Sequence, residues 1–247
     1  RAAWDGDRVS AFGSVIACTV PFDDEAAEFL SGKMVESILA PDFTEKARET
    51  LGKKKNIMLL RLDIPSIGEP DTPVYRQVLG GMLRQTPDAE LFKEWRMVTK
   101  REFPESRREL ARFAMIACRC TKSNAIVLCE EYAPGLYHVL GMGAGQPNRV
   151  DSLRKLAAAK ARENLGIAFD ESKPGGDRGK WIESRMAAAV MASDAFFPFD
   201  DTVREAAELG IRSIVQPGGS LRDEDVVKAA DELGVAMVFT GTRHFMH

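Results

Sequence analysis

The chain has 247 residues, 45% of them hydrophobic, enough to bury a core in one large domain or two modest ones. Its 34 basic and 37 acidic residues are well mixed and leave a formal charge of -3, which excludes the polycationic surface that holds nucleic acid or an anionic membrane. Cys18, Cys118, Cys120 and Cys129 form no CxxC pair and have no histidine at ligand spacing, which excludes the common zinc frameworks and suits reduced thiols of a cytoplasmic protein.

No stretch approaches the roughly eighteen consecutive apolar residues of a membrane span, and no signal peptide is visible. Small molecules or other subunits are the expected partners. In chain order, Arg1 to Trp4 is helical in composition and breaks at Asp5-Gly6-Asp7; without an initiating methionine, the start reads as cut. A strand over 15–20 leads to Pro21-Phe22-Asp23-Asp24. Next come a helix with Ala27, Leu30 and Met34, a strand over 37–40, the turn Pro41-Asp42, a helix through Leu51, the basic run Lys53-Lys54-Lys55, and a strand over 57–62. Asp63 to Asp88 is turn-rich, with Tyr75 to Gly81 expected as a strand or loop at a subunit contact, and 90–100 reads as polar and partly linker.

A helix from Glu105 to Cys118 is expected to bury Leu110, Phe113, Ala114 and Ala117 and to deliver the chain to Thr121-Lys122-Ser123-Asn124. Strands over 125–129 and 137–141 form a hairpin around Pro134-Gly135. The loop Gly143 to Arg149 opens a long helix over 150–164. A flexible connection over 173–180 and a helix from Trp181 to Met191 follow.

The last stretch, Ser193 to His247, alternates two helices with two strands. Asp200 or Asp201 caps the first helix, which buries Val203, Ala206 and Ala207 and stops at Gly210. A strand over 211–215, the loop Gln216 to Ser220, and a helix with a Ser220/Asp223 cap and Val226, Ala230 and Leu233 on one face come next. Gly234 closes that helix, and a strand over 235–240 runs into Arg243-His244-Phe245-Met246-His247. Pro198-Phe199-Asp200-Asp201 repeats the earlier Pro-Phe-Asp-Asp tetrapeptide, and the same helix, strand, helix, strand succession follows each copy. The reading is a duplicated α/β unit whose first copy lacks its front part. Alternating helices and strands imply parallel pairing, and ligands gather beyond the carboxyl ends of such strands.

Several residues carry chemistry. Gly141 to Gly145 opens a helix and is a candidate anion seat, but it is not GxGxxG, which argues against a dinucleotide. Arg149 is a cation in a first helical turn, where the macrodipole disfavours it, so ligand contact and simple solvation stand level. Asn124 presents its amide to a ligand or closes a turn, and the turn reading leads. Phe196, Phe197 and Phe199 form a stacking wall or, more commonly for such a cluster, part of the core. Arg243 and His247 crowd a strand end, where a phosphate or carboxylate gives them a purpose. No Ser/His/Asp or Cys/His set is readable, and the zinc deaminase PCxxC element is absent.

The segments VSAFGSVIA, ILAPDF, KKKN, KSNAIVL, GAGQPNRVDS, SDAFFPFDD, QPGGS and the terminal TRHF, in this order over essentially the whole chain, resemble AICAR transformylase. That family is the formyltransferase half of a bifunctional purine-synthesis enzyme and also stands alone. The resemblance implies duplicated cytidine-deaminase-like three-layer α/β/α units, here 1–98 for the truncated first copy with its connection and 99–247 for the second. It implies transfer of a formyl group from 10-formyltetrahydrofolate to the 5-amino group of AICAR, with no metal in the chemistry, and a homodimer with its site at the interface. Gly13, Glu36, Asn124, Arg149, Phe196 and Arg243 would contact AICAR, and Val150, Asp201, Ser220 and Leu221 the folate. Glu36 stands where some members carry aspartate. The family's catalytic Lys-His pair lies upstream of the AFG segment and has no counterpart here, which leaves Asn124 as the catalytic candidate and expects the N-terminal part of the same enzyme as a partner. The alternative is a catalytically silent nucleotide- or folate-binding protein.

Overall fold

The computed structural model describes residues 1–63 and 73–246. Two compact units, Arg1–Ala89 and Glu90–His247, divide the chain ahead of the boundary expected after residue 98. The front of the expected turn-rich stretch, residues 64–72, lies outside the described residues, as does His247. No helix among the described residues is long and apolar enough to cross a membrane.

In the first unit, α1 (Ala2–Asp5) precedes the succession β1 (Ser14–Ala17), α2 (Asp24–Ser31), β2 (Val35–Ala40), α3 (Glu45–Gly52) and β3 (Met58–Arg61). The strands form a parallel three-stranded sheet in the order β1-β2-β3. Asp23 caps α2 by accepting from Ala26 N at 2.9 Å, and Thr44 caps α3 by accepting from Ala47 N at 3.1 Å. Phe22, Leu30, Val35, Ile38, Phe43 and Leu51 fill one core between these helices and the sheet. The helix ends before Met34, which was expected within it and is 61% exposed. Val15, Met58 and Leu60 are exposed as well.

Lys54, read only as part of a basic run, closes α2 from a distance. Its ammonium donates to the carbonyls of Leu30 and Ser31, each at 2.8 Å, and to that of Lys33. Final-turn carbonyls lack helical partners, and a cation suits them doubly because the helix dipole is negative there. The stretch from Tyr75 forms an antiparallel hairpin, β4 (Val74–Val78) and β5 (Gly81–Gln85), exposed along both strands.

The second unit is built on a six-stranded sheet in the order β6-β11-β10-β9-β7-β8. Its members are β6 (Arg96–Met97), β7 (Ile126–Ala133), β8 (Leu136–Gly143), β9 (Val190–Ser193), β10 (Ser213–Gln216) and β11 (Ala236–Phe239). β9, β10 and β11 run parallel, whereas β7, β8 and β6 pair antiparallel with their neighbours. The period-two rule for side chains on a strand divides the core. Ile126, Leu128, Met191, Ile214 and Met237 point to a cluster under the later helices, and Val127, Cys129, Val190, Val215 and Val238 to one under α4 (Arg108–Arg119). The helices of the first face are α5 (Arg149–Asp151), a π-helical segment over Ser152–Ala157, α6 (Ala158–Ser172), α7 (Arg178–Ala188), α8 (Asp201–Glu208) and α9 (Asp223–Glu232). The result is helix, sheet, helix in three layers. The succession β9-α8-β10-α9-β11 repeats β1-α2-β2-α3-β3, as the shared tetrapeptide implies.

Three expectations change. The segment 90–100 is no linker: Leu91, Phe92 and Trp95 pack on the core under α4, and β6 pairs with β11. The helix expected to Met191 stops at Ala188, and Val190–Ser193 is the wholly buried strand between β10 and β7. The two aspartates of the second tetrapeptide do not cap α8 as Asp23 caps α2. Asp200 pairs with Arg204 Nε at 2.7 Å, and Asp201 accepts from its neighbour Thr202 N at 2.7 Å.

Candidate functional site

Strand registry gathers the loops of interest at one edge of the second sheet. Ile126 pairs with Gly143 on one side and Ser193 on the other, so Asn124, the 144–149 loop and the chain after Ser193 leave the sheet together. Gln216 and Phe239 end the adjacent parallel strands at that same edge.

The glycines before the loop serve packing rather than an anion. A Cβ on Gly143 would lie 1.9 Å from the Ser152 carbonyl oxygen, and one on Gly141 2.2 Å from that of Ala157. Their hydrogens let the π-helical segment settle against β8. Asn148 then caps the following turn through Asp151 N at 2.8 Å.

A set of hydrogen bonds laces the loops together. Asn124 donates its side-chain amide to the carbonyls of Gln146 at 3.0 Å and Pro147 at 2.9 Å, which ties its own loop to the 144–149 loop rather than closing a local turn. The Ser152 hydroxyl donates to Asn124 O at 2.7 Å, and Gly145 N donates to Lys122 O at 2.8 Å. Ser123 exchanges two bonds with Met246, its N–H to Met246 O at 2.9 Å and its hydroxyl from Met246 N at 3.1 Å.

Arg149 reaches inward. Its Nε lies 3.0 Å and its Nη2 2.9 Å from Asp194 Oδ1, with the arginine side chain 11% exposed and the aspartate fully buried. Asp194 also accepts His244 N at its backbone oxygen, 2.8 Å away, and buried His244 donates from Nε2 to Leu91 O at 3.1 Å. The cation disfavoured by the dipole is therefore held by a carboxylate 45 residues on. Asp194 and His244 carry this arrangement, and neither stood out in the sequence. An aspartate ahead of small and aromatic residues looks like a turn former, and only its burial gives it away.

The three phenylalanines separate. Phe197 is core, Phe196 is half-buried, and Phe199 is 51% exposed beneath the Arg222 guanidinium at 4.9 Å. Arg243 is exposed and lies over the Phe245 ring at 5.4 Å. Among the other expected contacts, Val150 and Ser220 are half-buried, Asp201 is exposed, and Leu221 is fully exposed. Ser220 is fixed on both sides, its N–H donating to Asp223 Oδ1 at 3.1 Å and its hydroxyl accepting from Arg222 N at 3.1 Å. Gly218 has φ of +72° and would place a Cβ 2.5 Å from the Phe239 ring, which fixes glycine in that turn. In the first unit Gly13 has φ of +71° and donates to Met34 O at 2.9 Å, while Glu36 is an exposed position within β2 rather than ahead of it.

The two buried cysteines supply no nucleophile. Burial pushes the thiols of Cys118 and Cys129 well up, and Asp194 raises Cys118 further, so both stay protonated and weakly nucleophilic. No cluster of metal-ligating side chains occurs among the described residues.

The fold and this edge define a three-layer α/β protein whose strand-end loops are bonded to one another around an arginine held by a buried carboxylate. Comparison with known proteins gives the family: the profile for the AICARFT/IMPCHase bienzyme matches residues 1–160, and the chain belongs to that family. It is similar to the protein named "Bifunctional purine biosynthesis protein PurH" from Lactobacillus acidophilus, 43% identical over 247 residues, 99% of this chain and 43% of that protein. Proteins of the same name from Prochlorococcus marinus (41% identical over 249 residues) and a Nostoc species (43% over 250) cover all of this chain. The chain spans 43% and 44% of those two relatives' own length.

Proposed function

We propose that the protein to which this chain contributes transfers the formyl group of 10-formyltetrahydrofolate to the 5-amino group of AICAR. The observation that carries this is the Arg149–Asp194 pair at the edge where the expected substrate loops are bonded together. Family membership supports it over a catalytically silent binder.

In this reading Arg149 and Arg243 meet the anionic part of the nucleotide and Phe196 offers an apolar face to its flat ring. Gly13 and Glu36 contact AICAR as the resemblance implies, whichever copy of the chain supplies them. Val150, Asp201, Ser220 and Leu221 serve the folate, with exposed Leu221 giving an apolar surface for it.

The amine of AICAR is a weak nucleophile because its lone pair is shared with the ring and carboxamide. Transfer needs a base for its proton and a donor for the oxyanion of the tetrahedral intermediate. Both amide hydrogens of Asn124 already serve Gln146 and Pro147, so Asn124 enters as an acceptor that orients the amine, through its side-chain oxygen. His244 is buried and bonded to Leu91 O, so the base and the oxyanion donor are assigned to a Lys-His pair in the N-terminal part of the enzyme. We also propose a cytoplasmic homodimer with the site at its interface, and a common cytidine-deaminase-like ancestor for the two halves. The test is formyl transfer by the intact gene product, followed by the folate absorbance change. Binding of AICAR without turnover would favour the silent binder, and neither binding nor turnover would end the proposal.

A further inference from the structure

The pairing of Arg149 and Asp194 is one-sided, as that of Arg154 and Glu205 is, but here the groups left over are buried. Both close contacts of the guanidinium fall on Oδ1, and Asp194 Oδ2 is buried with no hydrogen-bond partner among the described residues. Arg149 Nη2 is buried too, and although it sits 2.9 Å from Oδ1 it makes no aligned hydrogen bond among the described residues. Arginine and carboxylate usually meet as a two-pronged fork that satisfies both oxygens. Buried polar groups are almost always satisfied, so donors left over beside a substrate loop point to an acceptor that arrives with a ligand.

Asp194 itself cannot slide to meet the fork. It follows directly on β9, its N–H faces Ala125 O at 3.4 Å, and its carbonyl is held by His244 N at 2.8 Å. His244 is fixed in turn through Leu91 O, on the segment leading to β6. The carboxylate is thus set by the sheet and the arginine by the carboxylate.

We propose that Asp194 is the positioning residue for Arg149: it holds the guanidinium from the buried side at Nε and leaves N–H groups unspent for an anionic oxygen of the substrate. This deepens the proposed function, because it rests on Arg149 meeting AICAR. Asp194 touches no substrate. Its contribution runs through the orientation of one side chain.

The test uses the full-length enzyme and the probe AICAR, with Asp194→Asn, which keeps size and removes charge, Arg149→Gln, and the double variant. Asp194→Asn is expected to weaken AICAR binding by calorimetry on the order of tenfold, the scale of one charge-assisted hydrogen bond, and to raise KM more than it lowers kcat. In the Arg149→Gln background the same change should cost nothing more, whereas an equal further loss there means a merely structural role and overturns the proposal. If Asp194→Asn does not fold, Asp194→Glu, which keeps the charge and displaces it, is put through the same cycle with the same criteria. A readout independent of AICAR is the Arg149 Nε–H resonance, assigned by its loss in Arg149→Gln. It should exchange slowly in the wild type and broaden in Asp194→Asn, and an unchanged signal refutes positioning. Equal AICAR affinity of wild type and Arg149→Gln would instead defeat the substrate assignment, while the resonance still decides what Asp194 does.

Discussion

Gly143→Ala tests whether packing behind the site sets the site. The added methyl would lie 1.9 Å from Ser152 O, 2.5 Å from its carbonyl carbon and 2.7 Å from its Cα, all backbone atoms. Relief to the 3.0 Å below which real Cβ contacts essentially never fall requires the two backbones to part by 3.0 - 1.9, about 1 Å. Overpacking of this kind costs about 1–3 kcal/mol. Ser152 is fully buried and its one hydroxyl proton serves Asn124 O at 2.7 Å, so the shift strains one more hydrogen bond worth about 1 kcal/mol. The sum is roughly 2–4 kcal/mol, a large share of the roughly 5–15 kcal/mol that holds a typical domain. Urea unfolding followed by circular dichroism measures it, with Gly52→Ala as the control, because a Cβ there meets nothing within 4 Å. AICAR binding should weaken in parallel, since Ser152 is the link from the helix to Asn124. A Gly143→Ala protein within about 0.5 kcal/mol of wild type, or one destabilised with unchanged affinity, would refute the reasoning.

Lys54→Met should destabilise the first unit by about 1–2 kcal/mol in urea, because the Leu30 and Ser31 carbonyls that end α2, and that of Lys33 just beyond it, lose a charged donor while the stem stays apolar. Leu221→Ser should leave the melting temperature unchanged, the leucine being fully exposed, and raise KM for 10-formyltetrahydrofolate several-fold; unchanged kinetics would remove Leu221 from the folate surface. A thiol reagent at neutral pH should label exposed Cys120 quickly and reach buried Cys118 and Cys129 only on unfolding. Those two thiols, raised by burial, stay protonated in the folded chain when the unfolded chain ionises near the ordinary value of 9.0. Their folded values lie above the unfolded ones, so their contribution is fully present below that pH and is lost as pH rises, and denaturation midpoints should fall above about pH 9. Cys118→Ala with Cys129→Ala should flatten that alkaline decline, which a pH series of urea midpoints would show.

The architecture was legible where the residues punctuate themselves. Gly210, Gly218 and Gly234 mark helix stops and a turn, and the duplicated tetrapeptide pointed to the repeated βαβαβ succession. The Val190–Ser193 strand escaped because Met186 to Met191 is one apolar run with no glycine or proline between helix and strand. The 90–100 segment misled by its charges, while Leu91, Phe92 and Trp95 hid among them as anchors. At the candidate site, Arg149 drew notice because a cation at a helix start is out of place, but its partner lies too far along the chain to be inferred from spacing. Asn124 drew notice as a residue for a ligand or a local turn, and the structure instead spends its amide on carbonyls 22 and 23 residues along the chain, beyond the reach of spacing arguments.

The first unit's sheet has its packed helices, α2 and α3, on one side, while Val15, Met58 and Leu60 remain in water on strands of a type that natural folds roof over twice. Anyone excising residues 1–89 as a portable module would inherit a greasy underside along with the useful glycine turn. Hydrophilic replacements at those three positions would be the first alteration to make before expecting such a fragment to stay dispersed.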